Sequence, residues 1–115
     1  MIRSEEYLEF IRSRPCATCT RRETVAHHWR TGTDGGTGLK PSDCYALPLC
    51  DRCHREAHQY GERTFAAQHR FEPLERMTVY LAEFLMARKG WTAREIKALA
   101  EAVLATKTTE GESDE

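Results

Sequence analysis

Two Cys-x-x-Cys pairs constrain this chain more than any other feature. The first pair is Cys16 and Cys19, the second is Cys50 and Cys53, and 30 residues separate the pairs. Four thiolates at two such spacings can surround one Zn²⁺ ion tetrahedrally, and a closed four-cysteine site is a structural one. The pattern therefore predicts a zinc ion that ties two distant parts of the chain together.

The composition favours the same interpretation. A chain of 115 residues suits one domain, and Leu, Ile, Val and Phe make up only about 17% of it. A core so poor in large apolar side chains needs an additional constraint, such as a metal. The first residues lack the apolar stretch of a secretory signal, and no apolar run is long enough for a membrane span. We therefore expect a cytoplasmic protein without membrane contact, where cysteines bind metals more often than they form disulfides; Cys44 is expected to be a buried thiol.

Helix, strand and turn signals predict an α+β fold. Ser4 has the character of a helix N-cap, and a glycine-rich stretch before the second cysteine pair indicates a long loop. The first predicted elements are a helix from Ser4 to Pro15, a strand over 24–29, a loop over 30–43 and an extended segment over 45–49. Four helices follow: one capped by Asp51 and ending at Tyr60, a short one over 64–69, a long one from Pro73 to Gly90, and one capped by Thr92. The apolar face of the long helix is predicted at Leu74, Met77, Leu81, Phe84 and Leu85.

We expect a single domain over residues 1–106, with a core over 7–65 and a helical extension over 66–106. Residues 107–115 contain no apolar side chain and are expected to form a disordered acidic tail. The last two helices are expected to complete the core, and a hairpin that binds a protein partner is the alternative. The net charge is only −1, but the acidic tail conceals an Arg-rich, mildly basic front half that suits phosphate groups.

Four of the five histidines occur as two local pairs beside the cysteine framework. His54 and His58 are four residues apart on a predicted helix, so they share one face and can bind one metal ion. His27 and His28 are neighbours on a predicted strand, where consecutive side chains point in opposite directions. One of them therefore completes the metal site, and the other faces a substrate. Glu56 stands one position too late for the zinc-peptidase helix motif, which argues against a protease.

The order of these motifs resembles the HNH endonucleases. It runs through Cys-x-x-Cys, His-His, a glycine-rich loop, Pro-Leu-Cys-x-x-Cys-His and a helical His. The histidine pattern is similar to the nuclease domains of DNase colicins. The cysteine frame and residues 38–43 are similar to small phage and prophage HNH proteins, including recombination-enhancement nucleases. The resemblance covers residues 7–65 and implies a small zinc-stapled ββα-metal (His-Me finger) module, here with an N-terminal helix and two C-terminal helices.

The resemblance also implies residue roles. It makes His28 the general base; it makes His27, His54 and His58 the ligands of a catalytic metal, and Cys16, Cys19, Cys50 and Cys53 the ligands of a structural zinc.

Two further groups extend this set of candidate site residues. Many members of the family carry an Asn shortly before the second cysteine pair, but this chain has no Asn. Asp43 is the candidate substitute that caps the loop or orients His28, and a turn-forming Asp is the alternative. Arg30 and Lys40 are candidate phosphate clamps, and solvated surface cations are the alternative.

The implied function is a metal-dependent endonuclease or nickase that hydrolyses phosphodiester bonds of double-stranded DNA, encoded by a phage or prophage. The catalytic ion would be Mg²⁺, Mn²⁺, Ni²⁺ or Zn²⁺. The alternative is a zinc-stabilised nucleic-acid-binding or adaptor protein with a degenerate HNH site. The missing Asn favours that alternative, and the complete histidine set opposes it.

Overall fold

The computed structural model describes residues 1–113, with side chains for residues 1–102 and 105.

The first element of the fold is an amphipathic helix, α1 (Glu5–Arg12). As predicted, Ser4 is the N-cap of α1, and its hydroxyl accepts a hydrogen bond from the Tyr7 N–H at 3.1 Å. The acidic residues Glu5 and Glu6 lie in the first turn, where they complement the helix dipole. The opposite face of α1 is buried.

Two antiparallel strands follow, β1 (Thr24–His28) and β2 (Ala46–Cys50). Their register pairs Thr24 with Cys50 and His28 with Ala46. A short 3-10 helix, Asp43–Tyr45, brings the loop between the strands back to the sheet. β2 is buried along its whole length, including Pro48. A proline is tolerated there because each strand of a two-stranded sheet has a free edge.

Four helices complete the described part of the chain: α2 (Asp51–Tyr60), α3 (Glu62–His69), α4 (Pro73–Lys89) and α5 (Ala93–Ser113). Gly61 separates α2 from α3 with a φ of +90°, a backbone conformation that glycine adopts readily. The sequence predicted Asp51 as the cap of α2, but the N-cap position belongs to Cys50. With its two-stranded sheet and five α-helices over the residues described, the protein has the predicted α+β class.

The chain divides into two compact units, Met1–Leu81 and Ala82–Glu115. This division falls within α4, whereas the predicted limit between core and extension is residue 65. The core of the first unit combines α1, both strands and buried residues of α2, α3 and the first part of α4. Its buried apolar residues include Tyr7, Phe10, Ile11, Trp29, Leu47, Leu49, Phe65, Met77 and Tyr80.

Two expectations about the C-terminal helices differ from the structure. The predicted apolar face of α4 included Leu74 and Leu81, but both side chains are exposed, while Tyr80 is buried beside Met77 on that helix. Helix α5 extends to Ser113 through most of the predicted disordered tail, and residues 114–115 lie outside the described residues. Extending an existing helix requires no new nucleation, which favours such continuation. No helix in the described range is long and apolar enough to cross a bilayer.

Candidate functional site

The four predicted zinc ligands come together at one end of the sheet. The sulfur atoms of Cys16, Cys19, Cys50 and Cys53 all lie within 4.8 Å of one another. Cys16, Cys50 and Cys53 are buried, and all five cysteines of the chain are free thiols. The cluster can therefore hold a structural metal such as zinc, as the sequence predicted.

Backbone hydrogen bonds shape this cysteine cluster. The Thr20 N–H donates to the Cys16 carbonyl at 3.0 Å, which closes the first turn, and the Ala17 N–H donates to the Pro48 carbonyl at 2.8 Å, which fixes that turn against β2. The second pair spans the junction of β2 and α2, so Cys50 ends the strand and Cys53 lies in the first helical turn. The cluster thus joins a turn to a strand–helix junction.

The environment of the thiols suits a bound cation. Burial raises the pKa of Cys16, but hydrogen bonds from the Thr18 side chain and from nearby backbone groups outweigh it and lower that pKa to about 6. Burial, together with the neighbouring Cys50 and Cys16 sulfurs, raises the pKa of Cys53 to about 12. Four sulfurs this close cannot all ionise by themselves, because like charges oppose one another. A divalent ion among them removes that repulsion.

A second cluster contains three histidines. His27 is the last but one residue of β1, and His54 and His58 lie one turn apart on α2. One ring nitrogen of each of the three residues lies within 4.8 Å of the others. The Nδ1 atoms of His27 and His54 are 3.1 Å apart. His27 is buried, His54 is half-buried and His58 is exposed. Burial lowers the pKa of His54, and the charges of His27 and His58 lower it further, so His54 favours its neutral, metal-binding form.

Glu62 orients the buried histidine of this cluster. Its Oε2 atom lies 2.9 Å from His27 Nε2, and its carboxylate also accepts hydrogen bonds from the N–H groups of Arg30 and Thr31 and from the Thr31 hydroxyl. Burial raises the pKa of Glu62, but these hydrogen bonds, that of His27 foremost, outweigh it and lower the pKa to about 2. An ionised carboxylate only accepts, so His27 Nε2 carries the proton.

With the Nε2 proton directed to Glu62, Nδ1 is the nitrogen of a neutral His27 that presents a lone pair, and it faces His54. Two imidazole nitrogens 3.1 Å apart need either a proton or a cation between them. Nitrogens bound to one tetrahedral ion at about 2.0–2.1 Å lie a little over that distance apart. The donor set and its spacing therefore fit a divalent metal, and a carboxylate behind a ligating histidine is the usual support of such a site.

His28 takes part in a separate hydrogen bond. Its Nε2 atom lies 2.8 Å from Asp43 Oδ1. Burial raises the pKa of Asp43, but the hydrogen bond and charge of His28, the Ser4 N–H and the Arg3 guanidinium outweigh it and lower the pKa below its usual range. The carboxylate is therefore an acceptor, His28 Nε2 is the donor, and His28 Nδ1 remains available as a base.

The two predicted phosphate clamps differ in their surroundings. The Arg30 guanidinium donates to the carbonyl oxygens of Gly36 and Leu39, at 3.1 and 3.2 Å, and so it braces the glycine-rich loop. Lys40 is exposed, and its backbone carbonyl accepts a hydrogen bond from Arg3. Cys44, the fifth cysteine, is half-buried outside the cysteine cluster, and burial raises its pKa.

Sequence reasoning missed Glu62 and the contribution of Arg3. Glu62 stands four residues after His58, but Gly61 ends the helix between them, so helical spacing gives no reason to select it. Arg3 is about 40 residues from Asp43 in sequence, and only the folded chain brings them to 3.3 Å. Both contacts are long-range, and no local motif encodes them.

Comparison with known proteins gives relatives without an assigned activity. The family described as "Protein of unknown function (DUF968)" matches residues 1–79. The "Uncharacterized protein YdfU" of Escherichia coli (strain K12) is 37% identical over 54 residues. That alignment covers 47% of this chain and 16% of the Escherichia coli protein, so the chain corresponds to a small part of that relative. No solved structure matches.

Proposed function

Because this chain belongs to the DUF968 family of proteins of unknown function, its activity has to be inferred from its own side chains, and we propose that it is a metal-dependent DNA endonuclease or nickase of the HNH type. The observation that carries the proposal is the arrangement of two histidines at the end of β1. There, the consecutive residues His27 and His28 enter two different groups: His27 joins a metal-binding histidine cluster, and His28 pairs with a carboxylate.

The arrangement of elements supports the proposal. An antiparallel pair of strands leads directly into α2, which carries His54 and His58, and this is the order of a ββα-metal module. The cysteine cluster adds a structural metal site at the opposite end of β1, because Thr24 is paired with Cys50 while His28 is paired with Ala46. One short strand thus separates a structural site from a candidate catalytic site.

Each residue has a chemical role in hydrolysis. A divalent ion held by His27, His54 and His58 would neutralise phosphate charge and stabilise the departing oxygen. His28 Nδ1 accepts a proton from the attacking water, whose oxygen bonds to phosphorus while the P–O bond to the leaving oxygen breaks. Asp43 keeps the His28 ring oriented and stabilises its protonated form, and Glu62 keeps His27 in the tautomer that binds metal. Lys40 is exposed in the glycine-rich loop and is available to phosphate.

The alternative, a zinc-stabilised nucleic-acid-binding or adaptor protein, has one observation in its favour. The chain contains no Asn, and the residue in its place, Asp43, adds negative charge beside a site for an anionic substrate. Binding of DNA without cleavage under every metal condition would support this alternative.

A plasmid nicking assay tests the proposal. Supercoiled plasmid is incubated with the protein and Mg²⁺, Mn²⁺, Ni²⁺ or Zn²⁺, and activity is compared with a reaction containing chelator. We expect His28→Ala to lose about 10²–10⁴-fold activity, as is typical when a general base is removed, and to retain fold, zinc and DNA binding. His58→Ala should lose cleavage and weaken the second metal while the zinc remains.

His69→Ala is the matched control, because His69 pairs with Glu56 at 2.9 Å and stands outside the histidine cluster. It should cleave like the unmodified chain. His27→Ala should be partly rescued by excess metal, whereas His28→Ala should not. The reverse pattern would exchange the two roles, and full activity in both variants would eliminate the nuclease.

A further inference from the structure

A cleft lies beside the proposed catalytic site and has no part in the chemistry described above. Its volume is about 480 Å³, and it is bounded by the turn after β1, by α3 and by the start of α4. All of its lining residues belong to the first compact unit. This volume is within the range of about 300–1,000 Å³ typical of pockets that hold a small ligand.

The floor of the cleft is aromatic. Trp29 and Phe71 both line it, and their ring centroids lie 5.8 Å apart in an edge-to-face arrangement. Phe65 packs behind them, with its centroid 6.1 Å from that of Phe71. Trp29 and Phe65 are buried, whereas Phe71 is partly exposed. The cleft therefore offers one rigidly supported aromatic surface to a planar group.

Two arginines stand over this floor. Arg63 lies in the first turn of α3 and Arg70 is the residue that directly follows α3, and both line the cleft. Both are exposed, and neither guanidinium has a hydrogen bond or ion pair within the described part of the chain. Glu72 is the one acidic residue of the lining, against the two arginines, so the lining of the cleft carries a net positive charge.

The backbone at Arg70 supports a role for this arrangement. Arg70 has a φ of +51°, in the left-handed region that favours glycine at such helix ends. The reversal lets the Phe71 N–H donate to the Ala66 carbonyl at 3.1 Å and directs Phe71 back towards Trp29. A non-glycine residue in this conformation is strained, and such strain concentrates at binding sites.

The cleft is also next to the proposed chemistry. Trp29 directly follows His28 in the chain. Thr31, on the rim, is hydrogen-bonded through its N–H and its hydroxyl to Glu62, which holds His27. A ligand in the cleft would therefore contact the backbone that positions both histidines.

We propose that this cleft binds one unpaired nucleotide of a single-stranded DNA segment that flanks the cut. The base lies against Phe71, and the neighbouring phosphates pair with Arg63 and Arg70. The combination of aromatic surface and unpaired arginines is that of single-strand binding sites, where stacking on the bases and charge on the backbone act together. In a duplex the bases are stacked on one another, so a base reaches Phe71 only from an unpaired strand. The choice of DNA as the ligand rests on the proposed function.

A binding experiment separates this proposal from catalysis. The non-cleaving His28→Ala chain, also carrying Trp91→Phe so that Trp29 is the remaining tryptophan, is titrated with a single-stranded oligonucleotide and with the duplex of the same sequence. We expect the single strand to quench Trp29 fluorescence and to bind more tightly than the duplex. Phe71→Leu should weaken single-strand binding by about tenfold, the effect of losing one stacked base.

The arginines are tested through salt dependence. Each phosphate contact to a single strand contributes about 0.7 to the slope of log affinity against log salt concentration. Arg63→Gln with Arg70→Gln should therefore reduce the slope by about 1.4, whereas Arg94→Gln, an exposed arginine of the second unit, should leave it nearly unchanged. Circular dichroism verifies that each variant is folded.

The proposal is overturned if the double variant binds like Arg94→Gln, or if the duplex binds as tightly as the single strand and quenches Trp29 equally. Absence of nicking together with normal single-strand binding by the cleft would refute the nuclease proposal and leave the cleft proposal intact. Normal nicking together with unchanged single-strand binding in the cleft variants would refute the cleft proposal and leave the nuclease proposal intact.

Discussion

Asp43 connects three parts of the chain through one buried carboxylate. It accepts hydrogen bonds from His28 Nε2 at 2.8 Å, from the Ser4 N–H at 2.6 Å and from the Arg3 guanidinium at 3.3 Å. The Asp43 N–H in turn donates to the Ile2 carbonyl at 2.9 Å. The residues before α1, the loop before β2 and the candidate base are therefore held by the same side chain.

We expect Asp43→Asn to lower the free energy of unfolding by about 1–3 kcal/mol at pH 7, because buried donors lose a charged acceptor. The pKa of Asp43 is lower in the folded chain than the reference of about 3.9 for an unfolded one. The ionised carboxylate therefore favours folding above that reference pKa, and its contribution is lost as the pH falls through the folded pKa.

Denaturant titrations across the acid range check this prediction. The difference between the unmodified chain and Asp43→Asn should be constant above about pH 5 and narrow below about pH 4. Asp51→Asn is the control, because Asp51 is 82% exposed and pairs with Arg55 at the surface. A difference that is the same at every pH would show that the charge of Asp43 is unimportant.

Glu62 is the second carboxylate whose removal should be informative. Glu62→Gln should lower the affinity of the histidine cluster for Ni²⁺ or Co²⁺ by about 10–100-fold, the usual effect of losing such a support. Calorimetric metal titration of the zinc-loaded protein measures the change. Glu56→Gln is the matched control, since Glu56 pairs with His69 outside the cluster. Equal affinities in both variants would contradict the orienting role of Glu62.

At the scale of elements, the cysteine cluster joins the turn between α1 and β1 to the junction of β2 and α2. Both strand ends near the cluster are thereby fixed, since Thr24 of β1 lies opposite Cys50 of β2. The strands contain five residues each, and an isolated two-stranded sheet is marginal in water. A metal bound by this cluster would compensate for the small sheet.

Cys50→Ser should therefore leave the first unit largely unfolded and without its tightly bound zinc, because binding of a structural zinc is coupled to folding. Far-ultraviolet circular dichroism and atomic absorption measure the two effects. Cys44→Ser is the control, as Cys44 is outside the cluster, and it should retain one zinc per chain and a normal melt. A native spectrum and melt for Cys50→Ser would refute the structural role.

For the whole molecule, the distribution of buried side chains differs between the two compact units. The apolar core described above lies in residues 1–81, whereas Phe84 is the one buried residue among the side chains described in the second unit. We expect amide hydrogen exchange to be slowest in β1, β2 and α2 and faster by orders of magnitude in α5, since local opening costs least where few apolar contacts are lost. Exchange mass spectrometry measures this, and equal protection of α2 and α5 would contradict it.

Local signals in the sequence predicted the elements well. The Ser4 cap, the stop at Gly61 and the start at Pro73 are confirmed, because each depends on the backbone preferences of one or two residues. The spacing of the cysteines also predicted their cluster, because two Cys-x-x-Cys turns can place four thiols around one ion. The Thr92 cap of α5 is confirmed by its hydrogen bond from the Glu95 N–H at 3.2 Å.

What the sequence by itself determined, then, was the set of elements, the cysteine cluster and the pairing of His54 with His58, because all of these depend on spacing within one element or on two matched turns. Tertiary structure alone decided that Tyr80 rather than Leu81 is buried on α4, and that Glu62 stands behind His27. The physical reason is that burial and hydrogen-bond partners depend on which surfaces meet. The Asp43–Arg3 and His27–Glu62 contacts join residues more than 30 positions apart, and no local preference of the chain specifies them.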